Sequence, residues 1–189
     1  CGGGLMSFML LGILNSQALA GGGGAAMELI ETKILTSSLG STALSFTNIP
    51  STYKHLQIRV TNMNTNSGSI ALQFNGVTST VYNNHYLRAS NYSGSVESGW
   101  NGSQADRIYI DAGFEAYGST VLDVLDYASA SKNSVIRAQT GFYNSGSNYA
   151  VRLVSGLYEQ TAAVSSIQFR TSFGTAQIGT RISIYGIKG

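Results

Sequence analysis

Apolar and polar residues alternate along most of this chain, in short runs that turn residues separate. In KHLQIRVT (54–61), Leu56, Ile58 and Val60 hold one phase of the alternation and polar residues hold the other. A period of two is typical of a β-strand with one buried face. Eleven segments have this pattern or the bounds of a short strand, and they cover residues 28–36, 42–47, 54–61, 69–76, 81–89, 106–112, 118–127, 133–142, 149–158, 164–171 and 180–188.

The phase of the alternation predicts which side chains form the core. SIALQFNG (69–76) ends in Asn75-Gly76, a strong signal for a hairpin turn after a strand. The apolar phases of four clear strands predict a core that contains Leu56, Ile58, Ile70, Leu72, Phe74, Ile167, Phe169, Ile182 and Ile184.

Strands that follow one another at about ten to fifteen residues, with no long amphipathic helix between them, indicate an all-β fold. We predict an antiparallel β-sandwich of the jelly-roll type over residues 27–189. Segment 90–104 is rich in glycine and has little periodicity, so we predict a surface loop there. A short apolar arm, expected to be helical, precedes the sandwich over residues 1–26.

Composition narrows the class of partner. Charged residues make up 11% of the chain and hydrophobic residues 43%, which predicts a folded protein with a polar but weakly charged exterior. The net charge is +2, and the eleven Lys and Arg residues never form a run. Phosphate binding needs a clustered basic surface, so we expect no nucleic-acid partner.

Cys1 is the only cysteine, which excludes an intramolecular disulfide and a zinc finger.

Catalytic motifs are missing from the sequence. It contains no G-x-S-x-G, H-E-x-x-H, P-loop or G-x-G-x-x-G. His55 and His85 each lie in a strand-like run, where we expect polar strand residues with local hydrogen bonds rather than general bases. Asp123 and Asp126 are three apart, which would place them on opposite faces of one strand. We therefore predict that the protein is not an enzyme.

Asp106, Asp111 and Glu115 lie close together in the sequence, and their oxygen atoms are of the kind that Ca²⁺ binds. Their spacing matches no EF-hand loop, and isolated acidic residues at strand ends are usually solvated. We predict no metal site and no cofactor.

The segment around Tyr92, Trp100 and Asn101 combines aromatic rings with side-chain amides, a composition found on sugar-binding surfaces. Two interpretations remain open. These residues contact a glycan of a host surface, or Trp100 packs the loop or a subunit contact. Asn91 and Asn101 each begin a glycosylation sequon, a match that a Ser- and Asn-rich chain produces by chance.

The stretch from Leu5 to Leu14 is apolar and lies between glycine runs. As a helix it would be about 15 Å long, too short for a bilayer core of about 30 Å. Ala18-Leu19-Ala20 resembles a signal-peptide cleavage site, but no positive residues precede the apolar run. Cys1 would suit a lipoprotein, yet apolar residues follow where a polar linker is usual.

We interpret residues 1–26 as a docking arm. A helix that is apolar all round is stable in water only when it is buried, and Gly21–Gly24 would serve as a tether. The partner would be the same arm of sister subunits or a groove on another protein. The side chains expected to dock are Leu5, Met6, Phe8, Met9, Leu10, Leu11, Ile13 and Leu14.

Several phrases of the sandwich region resemble a family of small virion proteins of tailed bacteriophages. They are FTNIPSTYKHLQIRV (46–60), LQFNG (72–76), YNNHYLR (82–88), GSTVLDVLDY (118–127), KNSVIRA (132–138), VRLVSGLYEQTAAVSSIQF (151–169) and GTRISIYGIKG (179–189). The resemblance spans most of 28–189 and does not include the arm.

The resemblance implies a jelly-roll-like sandwich on the particle exterior, commonly a homotrimer. We expect a structural component of the virion, a capsid decoration or head-fibre protein. Its arm, residues 1–26, would contact a capsid or tail protein. The alternative is a tail appendage or fibre protein that binds a host carbohydrate.

Overall fold

The computed structural model describes residues 26–40, 43–65, 69–91, 94–110, 116–144, 149–171 and 174–189. Within these residues the chain forms twelve β-strands and no helix. All of the predicted arm except its last residue, Ala26, lies outside the described residues. The strands are β1 Met27–Ile34, β2 Leu44–Phe46, β3 His55–Asn64, β4 Ile70–Phe74, β5 Tyr82–Ser90, β6 Val96–Ala105, β7 Ile108–Tyr109, β8 Ala116–Leu125, β9 Ser134–Asn144, β10 Tyr149–Tyr158, β11 Ile167–Thr171 and β12 Arg181–Ile187.

The strands form two antiparallel sheets that pack as a sandwich. The large sheet has the order β1-β12-β3-β8-β9-β10-β5-β6, and the small sheet has the order β2-β11-β4-β7. Without β5, β6, β9 and β10, the two orders become β1-β12-β3-β8 and β2-β11-β4-β7, which is the eight-strand arrangement of a jelly roll. The predicted jelly-roll sandwich is therefore confirmed.

Two pairs of strands extend the large sheet beyond this framework. β5 and β6 are inserted between β4 and β7, and β9 and β10 are inserted between β8 and β11. Both pairs join the same edge of the large sheet, after β8. The small sheet has four strands and the large sheet eight, so the extension adds a wide surface on the side that faces away from the small sheet.

The alternation in the sequence predicted the core correctly. All nine predicted core side chains have between 0% and 1% of their surface exposed. In β3, Leu56, Ile58 and Val60 are buried, and the polar residues between them are not. Because a shift of one residue would exchange the two faces, this agreement fixes the register of the strands.

The predicted loop over 90–104 is wrong, because Val96–Ala105 forms the edge strand β6. Glycine lowers the strand propensity of a segment, which is why the sequence concealed this strand. The structure shows what Gly99 does there. A Cβ at Gly99 would lie 2.6 Å from the ring of Tyr86 on the neighbouring strand β5, so the glycine lets that ring pack across the ladder.

Asn75-Gly76 is a turn but does not join a hairpin. Both residues have positive φ values, 52° and 68°, as a tight turn with Asn-Gly requires. The chain then passes from β4 in the small sheet to β5 in the large sheet. The Asn75 side chain accepts hydrogen bonds from the backbone N–H groups of Ser165 and Ser166, which fixes the turn against the segment before β11.

Tyr82 is a fully buried aromatic side chain of the core that is held by hydrogen bonds and ring contacts. Its hydroxyl accepts the Phe74 N–H at 2.9 Å and lies 3.0 Å from the Val77 carbonyl, to which it donates. Its ring stacks on Tyr158 at 5.0 Å. Burial raises the pKa of Tyr82 to about 12, because the phenolate would have to exist without water.

We expect the protein to lose stability above pH 10, and Tyr82 to contribute to that loss. Because its pKa is higher in the folded state than the ordinary value of about 10, its contribution is complete below about pH 10. It is lost as the pH rises towards about 12, by up to about 1.4 kcal/mol per pH unit. Urea unfolding at a series of alkaline pH values measures this decline.

Tyr82→Phe provides the comparison. At neutral pH it should cost about 1–3 kcal/mol, because the buried Phe74 N–H loses its acceptor. Its decline above about pH 10 should be shallower than that of the wild type. Parallel alkaline profiles for the two proteins would show that Tyr82 titrates normally in the folded state.

Candidate binding face

The extended part of the large sheet presents a broad outward surface. In β8, β9, β10, β5 and β6 alternate side chains point away from the small sheet, and we call this surface the outer face. Its members are Tyr117, Ser119, Val121, Asp123, Val135, Arg137, Gln139, Tyr143, Tyr149, Val151, Leu153, Ser155, His85, Leu87, Ala89, Val96, Ser98 and Trp100.

The outer face collects most of the exposed large apolar side chains. The described residues include thirteen such side chains, and ten of them lie on this face. The other three are Leu29, Ile34 and Ile178. The ten on the outer face are Leu87, Val96, Trp100, Tyr117, Val121, Val135, Tyr143, Tyr149, Val151 and Leu153.

In β10 apolar side chains are exposed because of the register of the strand, and not because the strand lies at a frayed edge of the sheet. β10 lies between β9 and β5 in the sheet. Its Arg152 points inward, is only 7% exposed, and lies over the ring of Tyr86 at 3.9 Å. Val151 and Leu153, on either side of it, point outward and are 51% and 48% exposed. The strand therefore buries Arg152, together with Ala150 and Val154, and exposes Val151 and Leu153.

A row of polar and aromatic side chains crosses the outer face. Cross-strand partners place Trp100 beside His85, His85 beside Ser155, Ser155 beside Arg137, and Arg137 beside Asp123. The rings of Trp100 and His85 stack with centroids 6.3 Å apart. Arg137 Nη2 lies 3.4 Å from Asp123 Oδ2. This row offers a flat aromatic surface next to donors and acceptors of hydrogen bonds.

Shallow hollows lie on both sides of the ridge that Arg137 and Leu153 form. One has a volume of about 480 Å³, and its outward side chains are His85, Leu87, Arg137, Leu153 and Ser155. The other, of about 310 Å³, lies towards β8 and is lined by Val121, Asp123 and Gln139 among others. Both are open to solvent, so they fit a ligand or protein that lies along the sheet.

A second row on the outer face consists of tyrosines. Tyr117, Tyr143 and Tyr149 are cross-strand partners on β8, β9 and β10, and all three are exposed. Tyrosine combines an apolar ring with a polar hydroxyl, which makes it common at protein interfaces.

The structure describes the side chain of only one of the three predicted glycan-contact residues, Trp100. Tyr92 is not among the described residues, and for Asn101 only the position in β6 is described. Trp100 is on the outer face and 60% exposed, so it does not pack a loop within its own chain. The other groups of its row, His85, Ser155 and Arg137, come from β5, β10 and β9, and no pattern in the sequence predicted that arrangement.

The four residues considered for acid–base chemistry do not form one site. His55 Nδ1 accepts the backbone N–H of Asp126 at 2.9 Å, so this histidine has the local hydrogen bond that we expected. Asp123 accepts a hydrogen bond from Gln57 at 3.2 Å. Asp126 lies beyond the end of β8 with a φ of 51°, so the prediction that both aspartates belong to one strand is wrong.

Asp106 is paired within the chain. Arg107 Nε donates to its Oδ1 at 2.8 Å, and Arg107 Nη2 binds its Oδ2. This guanidinium lowers the pKa of the Asp106 carboxyl below its ordinary value. Asp111 and Glu115 lie outside the described residues. Among the described residues, no three His, Cys, Asp or Glu side chains come together in a way that could hold a metal ion.

The part of the chain that the structure describes has no helix that could cross a membrane.

No protein-family model and no curated protein matches the chain. Among solved structures, an exo-inulinase from Aspergillus awamori is 12% identical over 85% of this chain, with a TM-score of 0.32. The chain spans only 29% of that protein's length. Galectin LEC-6 from Caenorhabditis elegans is 11% identical over 80% of this chain and 94% of its own, with a TM-score of 0.33. Likenesses this weak carry no argument about function.

Proposed function

We propose that this chain is a structural component of a tailed-phage virion and not an enzyme. In this proposal the jelly roll is displayed on the particle exterior as a capsid decoration or head-fibre protein, attached by residues 1–26. The resemblance of its sequence phrases to small virion proteins supports the context. The observation that carries the structural role is the outer face, on which ten large apolar side chains are exposed.

A surface of this kind favours association. Burying one large apolar side chain contributes about 1.5–3 kcal/mol, and contiguous apolar patches larger than a few hundred Å² usually mark interaction sites. On the outer face the apolar residues belong to neighbouring strands, so one partner can cover many of them at once. In a protein that functions within an assembly, such a face can be covered by a neighbouring subunit.

Purified particles test the proposal. We expect quantitative mass spectrometry of gradient-purified phage to find the chain at a fixed ratio to the major capsid protein. Protease-treated intact particles should lose the sandwich domain if it is displayed outside. A chain found only in the soluble part of the lysate would contradict a virion role.

A second candidate is a tail appendage that binds a host carbohydrate, and the Trp100 row favours it. The exposed indole offers an apolar platform for the C–H face of a sugar ring. His85 lies beside it, and Ser155 and Arg137 follow further along the row; all three line the hollow of about 480 Å³ and can hydrogen-bond to hydroxyl groups there.

Binding to a glycan array tests this candidate. Trp100→Ala should abolish binding, because it removes the aromatic platform. Tyr117→Ala is the matched control, since Tyr117 is an exposed aromatic residue on the same face but in the tyrosine row. Equal loss in both variants would indicate general damage to the face, and no binding by the wild type would exclude this candidate for the glycans tested.

A further inference from the structure

We propose that the outer face is the surface through which copies of this chain pack against one another. The proposal goes beyond the virion role, because it concerns contact between identical chains and does not depend on where they are attached. It is also distinct from attachment by the arm. Three properties of the outer face support the proposal: its exposed apolar area, its low charge and the absence of lysine from its strands.

The area of the face is sufficient for a stable contact. Fully buried aromatic side chains contribute about 150–250 Å² each, so ten large side chains that are between 39% and 65% exposed present on the order of 1,000 Å². A standard protein–protein interface buries about 800 Å² on each partner. The apolar residues alone therefore reach the size that specific association requires.

The outer face has little free charge, which favours a partner surface that is also uncharged. Asp123 and Arg137 are the only members of the outer face with a full charge, and they already form a pair at 3.4 Å. The rest of the face is aliphatic, aromatic or neutral and polar. A basic or acidic partner would find no complementary charge there. A surface of the same composition, which a second copy provides, is the matching partner.

The outer face also lacks the residues that discourage association. Soluble sheets often carry lysine on exposed strands, which keeps one molecule from packing against another. The four lysines of this chain are Lys33, Lys54, Lys132 and Lys188, and none lies in β5, β6, β8, β9 or β10. At the opposite edge of the same sheet, by contrast, Lys33 and Glu31 of β1 form an ion pair.

Leu153 lies at the centre of this surface. It stands opposite Leu87 on β5 and Gln139 on β9, and it lines both hollows. Packed sheets interdigitate their side chains at a separation of about 10 Å, so Leu153 of one copy would enter a hollow of the next. A carboxylate introduced there would be desolvated without a partner.

The mass of the full-length chain in solution tests the proposal. We expect sedimentation equilibrium at micromolar concentration to show an oligomer for the wild type. Leu153→Glu should weaken association roughly 30-fold or more, the effect of losing a residue at the centre of an interface. Ile178→Glu is the matched control, because Ile178 is 64% exposed but does not lie on the outer face, and it should keep the wild-type mass.

Leu87→Glu, a second change on the face, should act as Leu153→Glu does. Circular dichroism of each variant shows whether the fold is retained, and both leucines are half-exposed, so folding should not suffer. A monomeric wild type would overturn the proposal. So would an oligomer that both leucine variants retain, which would place the contact on the arm or on another surface. A monomer that binds a glycan through Trp100 would assign the face to the sugar instead. None of these results depends on whether the chain is found in particles.

Discussion

Phe74→Ala is expected to lower the free energy of unfolding by about 3–5 kcal/mol, because the cavity left by a phenyl ring in a close-packed core is only partly filled. Phe74 is fully buried in β4. Its ring lies edge-on to Tyr158 at 5.2 Å and tilted against Tyr82 at 6.3 Å. These tyrosines belong to β10 and β5, so the ring joins the small sheet to the extension of the large sheet.

The midpoint of urea unfolding measures this loss. Ile178→Ala serves as the control, because an exposed side chain should change stability by no more than about 0.5 kcal/mol. A loss for Phe74→Ala as small as that of the control would show that the two sheets do not meet at this ring. The expected loss is a large part of the 5–15 kcal/mol by which a domain of this kind is usually stable.

Alternation in the sequence was sufficient to predict the strands and the core wherever one phase is apolar and the other is not. β3 is the clearest case, with Leu56, Ile58 and Val60 buried on the side that the pattern indicates. The sandwich class followed from the number and spacing of such segments. β6 was missed because its glycines weaken the pattern, and a strand that is held by pairing with β5 needs no strong propensity of its own.

The outer face could not be predicted, because β10 carries apolar residues in both phases. In YAVRLVSGLY, one phase of the alternation contains Val151 and Leu153 and the other contains Ala150 and Val154. A period of two therefore does not predict which phase points to the interior. The structure resolves this through Tyr86, whose ring receives the inward Arg152. That contact depends on pairing between strands about sixty residues apart, which no local pattern contains.

The candidate site was predicted in part. The sequence left two roles open for Trp100, contact with a glycan or packing of the loop or a subunit contact, and the structure places its side chain on an open surface. His85, Ser155 and Arg137, which continue the row from Trp100, come from three other strands, and the two inserted pairs of strands align them. The order of strands in a sheet depends on contacts distant in sequence, so a single sequence could not reveal this row.

Deletion of residues 1–24 is expected to separate attachment from folding. The first described strand begins at Met27, and its ladder pairs Met27–Ile34 with β12, so the deletion leaves every described strand pairing in place. The truncated chain should keep its strand content, and its free energy of unfolding should change by no more than about 0.5 kcal/mol. It should not enter particles, since the apolar stretch proposed to dock is gone.

Leu10→Asp is the milder form of the same test, because an unpaired carboxylate is strongly disfavoured in a buried apolar contact. Both variants should be expressed in an infection whose phage lacks its own copy, with the full-length chain as control.

The decisive measurement is the number of copies per purified particle, for the full-length chain and for the chain without residues 1–24. We expect a fixed, reproducible number for the full-length chain and none above background for the truncated chain, although the truncated chain stays folded in the soluble fraction. Equal numbers of both chains in particles would contradict attachment by the arm, and a full-length chain absent from particles would contradict the virion role itself.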